Sequence, residues 1–139
     1  MFLYGLKQYD KAILTVNELL RLRPNAHDLF MQKGNLYEII GDTVSSKSNF
    51  KKSLTICNSV LDTMSTTNRD YVMQTTNKAI NLVMLGDSLT ANKILKTLYE
   101  TQPDDPAFDN VQKKYTLSLM NKNKSQLLES FLNPEKNSR

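Results

Sequence analysis

The stretch FMQKGNLYEIIGDTVSSKSNFKKS, residues 30–53, decides the fold. Leu29, Phe30, Lys33, Gly34 and Tyr37 recur at three- and four-residue intervals, which places them on one side of an α-helix. Gly41 follows, suited to the left-handed conformation that closes a helix without a Cβ penalty. A further stripe then runs Val44, Phe50, Leu54, Cys57, Leu61 and Met64. The stretch therefore predicts two helices joined by a tight Gly-Asp turn at Gly41 and Asp42.

The same rhythm continues on both sides. Upstream, Tyr9, Ala12, Ile13, Val16, Leu19 and Leu20 form a helix face that Pro24 ends. Downstream, the helix-poor run Ser65–Arg69 reads as a loop, and Asp70 is placed to cap the next helix. That helix carries Val72, Ala79, Leu82 and Leu85 and stops at Gly86. Leu89, Ala91, Ile94, Leu95 and Leu98 mark another, with Pro103 just beyond it. Phe108, Val111, Tyr115 and Leu119 are expected on one helix, and Leu127, Leu128, Phe131 and Leu132 on a last short one. Residues 133–139 are expected to fray as a disordered tail. No segment sustains the two-residue alternation of a strand, so the fold class is all-α.

At 139 residues the chain has the length of about one domain, enough to bury a core without a staple. Cys57 is the lone cysteine, so no internal disulfide forms, and its place on an apolar stripe reads as a small buried hydrophobe. His27 is the one histidine and has no thiol or second imidazole to share a metal with. The net charge is +4, yet the basic residues are spread: Arg21 with Arg23, Lys51 with Lys52, Lys113 with Lys114, and the tail from Lys122. No Arg-rich run interleaves with aromatics, which weighs against nucleic acid. No run approaches the length of a membrane span. Met1–Leu6 is too short for a signal-peptide core, so the expected compartment is the cytoplasm unless an address lies upstream.

The helices come in self-similar pairs. Placing Pro24 over Asn58 gives an offset of 58 − 24 = 34 residues, and Ala12, Val16 and Leu20 then fall on Ser46, Phe50 and Leu54. That period is the one expected of a tetratricopeptide repeat, and the chain resembles that family. Its best copy is Phe30, Gly34, Tyr37, Gly41, Ser46, Phe50 and Ser53, with Lys33 where the family usually has leucine. A third copy reads Ala79, Leu82, Gly86, Ala91, Leu95, Leu98 and Pro103. The first keeps Tyr9, Ala12, Val16, Leu19 and Pro24. The step between turn glycines, 86 − 41 = 45 residues, exceeds one period and predicts a long helix ending near Met64 plus the following loop.

The resemblance implies helix-turn-helix repeats stacked in a right-handed superhelix, forming a single domain over residues 1–132. Residues 1–25 would be an incomplete first repeat, 27–64 and 70–103 the second and third, and 106–132 capping helices. Small residues at Gly34 and Ser46 would let paired helices approach closely. The uncovered front, with Leu3, Tyr4 and the Ala12–Val16 stripe, is expected to promote self-association.

By the same resemblance, the concave side would be lined by Asp28, Met31, Gln32, Asn35, Glu38 and Ile39 in the second repeat. In the third it would be lined by Met73, Thr76, Asn77, Ile80, Val83 and Met84. The expected function is an interaction scaffold or adaptor holding a protein or peptide segment in that groove, with no cofactor and no small-molecule substrate. A carboxylate-clamp subtype is disfavoured, because Gln32, Thr76 and Asn77 stand there without a cation. A small secretion-type chaperone of the same fold is the first alternative, and nucleic-acid binding along a basic surface the second. No phosphate loop or His-Cys or His-Asp constellation suggests an enzyme.

Overall fold

Glycine and proline set the ends of the helices as the sequence predicts. The computed structural model describes residues 5–133, with side chains from residue 8 onward. It runs α1 (Gly5–Leu22), α2 (His27–Ile39), α3 (Thr43–Thr63), α4 (Tyr71–Met84) and α5 (Ser88–Thr101). A short 3-10 turn, Pro106–Phe108, precedes α6 (Val111–Leu119) and α7 (Lys124–Leu132). No strand occurs among the described residues, and none of their helices is long and apolar enough to cross a membrane. The chain divides within α3 into two compact units, one ending at Ile56 and the other beginning at Cys57.

In the first unit α1 packs on α2. Ile13 and Val16 of α1, Leu29 and Leu36 of α2, and Phe50 of α3 are its buried apolar side chains, with Ala26 between α1 and α2. Gly34 is a close-approach site: a Cβ there would stand 2.7 Å from Phe50 Cε2 and 2.8 Å from its Cδ2. Gly41, at φ 87°, takes the left-handed conformation. Its N–H donates to the Glu38 carbonyl (3.2 Å) and that of Asp42 to the Tyr37 carbonyl (2.9 Å), the paired closure of a Schellman turn. Asp42 then caps α3, its carboxylate accepting from the Ser45 N–H at 3.0 Å.

The second unit repeats the device. Gly86 has φ 95°. Its N–H donates to Val83 O (2.9 Å), that of Asp87 donates to Leu82 O (2.8 Å), and the Asp87 carboxylate accepts from the Thr90 N–H at 3.1 Å. Ala79 of α4 and Ala91, Leu95 and Leu98 of α5 are buried, as is Cys57, where the sequence places a small hydrophobe. The excess between turn glycines is accounted for by the 21 residues of α3 against 14 in α5, plus an ordered connection. There Ser65 Oγ accepts from the Thr67 N–H, and Asn68 Oδ1 from the Asp70 N–H.

Several expectations need correction. Asp70 precedes α4 but makes no side-chain cap, since its own backbone is already helical, at φ −90° and ψ −2°. Phe108 and Tyr115 do not share a helix. Asp109 and Asn110, both left-handed, break the chain between the 3-10 turn and α6. Phe108, Val111 and Tyr115 are exposed, whereas α6 turns Thr116 and Leu119 inward, and the Thr116 hydroxyl donates to Gln102 Oε1 at 2.9 Å. Val44, Leu19 and Leu89 also lie on the surface although each belongs to an apolar stripe. Ile13 and Val16, expected to stand uncovered, are buried; Leu3, Tyr4 and residues 134–139 lie outside the described residues.

Candidate protein-binding site

The predicted binding residues fall on two helices in separate units, and each face stands by itself. On α2, Gln32 is exposed and Met31, Asn35 and Glu38 are half-buried. Their spacing of three and four residues keeps them on one side of the helix. Asp28 and Ile39, at the two ends of that side, are also half-buried.

On α4 the face is smaller than expected. Met73 is 61% exposed, and Asn77 and Ile80 are half-buried. Thr76 is only 2% exposed, its hydroxyl donating to the Met73 carbonyl at 2.9 Å, and Val83 and Met84 are buried as well. Within its unit α4 packs against α5, α6 and α7. Met73, Asn77 and Ile80 thus keep solvent access on one side of α4, while Thr76, Val83 and Met84 are buried.

The electrostatics of the first unit are lopsided. Burial pulls the Lys33 ammonium below its ordinary value, and the charge of Lys52 lowers it further. The ammonium of Lys33 lies 6.0 Å from the centre of the Tyr37 ring. The half-buried side chain thus packs its stem while its head rests on an aromatic face. Burial also lowers the His27 imidazole below 6.5, with Asp28 opposing and Arg23 adding.

A feature that the sequence reading did not assign lies on α3. Pro24, Phe30, Val44 and Ile56 line an open groove of about 700 Å³, flanked by Lys47, Lys51 and Lys52. The signal was present as the i, i+3, i+7 series Val44, Lys47, Lys51, but an apolar stripe that begins with Val44 reads as core. Comparison of the chain with protein-family models, with curated proteins and with solved structures gives no match.

Proposed function

We propose that this chain is an interaction scaffold of the tetratricopeptide type, holding a peptide or protein segment on the outward sides of α2 and α4. The right-handed stacking of repeats belongs to the same proposal. The observation that supports it most is the match of Gln32 with Asn77. Their separation, 77 − 32 = 45, equals that of the two turn glycines, 86 − 41 = 45, so both hairpins carry a carboxamide at the same register position. A carboxamide offers a donor and an acceptor together, which suits the N–H and C=O groups of an extended peptide. Met31 and Met73 beside them add apolar contact that adapts to different side chains.

The test is selection of binding peptides from a displayed random library, followed by affinity measurements on two double variants. Gln32→Ala with Asn77→Ala, and Asn35→Ala with Asn77→Ala, should each weaken selected peptides by about ten- to a hundredfold, because truncation leaves a polar group of the peptide unpaired. The melting curve should stay in place. Peptides that bind both variants as well as the unaltered chain would refute this assignment.

A further inference from the structure

The groove on the first unit has the composition of a docking site for a charged helix. Val44, Lys47, Lys51 and Thr55 follow one another along a single side of α3, spanning twelve residues, or roughly 16 Å at 1.5 Å per residue, and Ile56 lines the groove from the flank of that side. Val44 is 80% exposed although it is aliphatic. Phe30 supplies further apolar surface, with the Lys52 ammonium 5.7 Å from the centre of its ring. No acidic residue lines the groove, and among the described residues Lys47, Lys51 and Lys52 make no ion pair.

We propose that this groove docks an acidic amphipathic helix of about three turns, with aliphatic residues against Phe30, Val44 and Ile56 and carboxylates one turn apart facing Lys47 and Lys51. Charge complementarity selects the occupant. Three ammonium groups without an ion-pair partner, beside an apolar floor, are matched by a segment that is apolar on one side and anionic along its edge. A second copy of this chain is a poor occupant, since it carries a net charge of +4 and its acids one turn apart, Glu38 with Asp42, Glu100 with Asp104 and Asp105 with Asp109, do not share an α-helix. Single-stranded nucleic acid stacks its bases on aromatic platforms, whereas here one phenyl ring stands beside two aliphatic side chains and a proline. The groove lining includes none of the residues proposed to bind on α2 and α4, and the inference does not rest on them.

The probe is a fluorescent helical peptide of about 14 residues, with leucines on one side and glutamates one turn apart. It is compared with a scrambled peptide of the same composition, a version with lysine for each glutamate, and a single-stranded RNA. The acidic amphipathic peptide should bind best. Lys47→Glu with Lys51→Glu should weaken it by about tenfold or more while promoting the lysine version. Val44→Glu should weaken it as well, and because all three residues are exposed the helical circular-dichroism signal should stay unchanged. Gln32→Ala with Asn77→Ala should leave this affinity unaltered, so either binding reading can fail without the other. Equal binding of the scrambled peptide, indifference to Lys47→Glu with Lys51→Glu, or tighter binding of the RNA would each overturn the proposal.

Discussion

The hairpins α2–α3 and α4–α5 share one turn and close on different side-chain pairs. Both reverse through a left-handed glycine, both satisfy the last carbonyls of the first helix with the same two N–H groups, and both begin the next helix under an aspartate cap. Yet where the first hairpin sets Gly34 against Phe50, the equivalent positions in the second hold Ala79 and Leu95, each buried. Glycine with phenylalanine and alanine with leucine are two ways of filling a similar volume. Ser46 and Ala91, the small residues of the facing helices, are likewise equivalent and buried. The turn is dictated by backbone chemistry and so repeats residue for residue, whereas the packed pair is constrained only in total size.

Removing the large member of each pair should have the largest effect and should separate the hairpins. Phe50→Ala should cost about 3–5 kcal/mol and Leu95→Ala about 2–5 kcal/mol, since each leaves a hole that its neighbour cannot fill. Hydrogen exchange followed residue by residue should show protection lost in α2 and α3 for the first and in α4 and α5 for the second. Uniform loss across both hairpins would mean that the two do not pack as individual units.

The capping aspartates should behave alike, and more mildly. Asp42→Ala and Asp87→Ala should each lower the urea midpoint by a similar, modest amount, since each removes an N-cap. Asp42 has its carboxyl held below the ordinary range by the Ser45 hydrogen bonds. Its contribution is therefore present above the unfolded carboxyl value and fades as pH falls through the lower folded one. Unequal losses at neutral pH would break the equivalence of the turns.

Much of this was legible in the residues themselves. Gly41 and Gly86 have few alternatives to a left-handed turn, Pro24 ends α1, and the step between the two glycines announced the longer α3. The direction in which a side chain points was less legible. Val44, Phe108 and Tyr115 lie on apolar rhythms yet face outward, while Thr76, Asn81 and Thr116 are polar yet buried. Periodicity says that residues share a side of a helix, but which side is covered depends on the helix that arrives against it. The lysine groove was hidden for that reason: Lys47 and Lys51 are ordinary surface charges until Phe30 and Pro24 are placed beside them.

The claim that the hairpins are one packing arrangement used twice is tested most directly by converting the first pair into the second. Gly34→Ala gains about 1 kcal/mol of helix propensity. It also drives a methyl group into a buried ring, and overpacking of that kind costs about 1–3 kcal/mol, so the single change should destabilise. Phe50→Leu alone should destabilise by opening a void. Together, measured as a double-mutant cycle of urea midpoints, the two should be less damaging than the sum of the singles, with a favourable coupling of about 0.5–3 kcal/mol. Strict additivity of Gly34→Ala and Phe50→Leu, or a Gly34→Ala variant as stable as the unaltered chain, would contradict it.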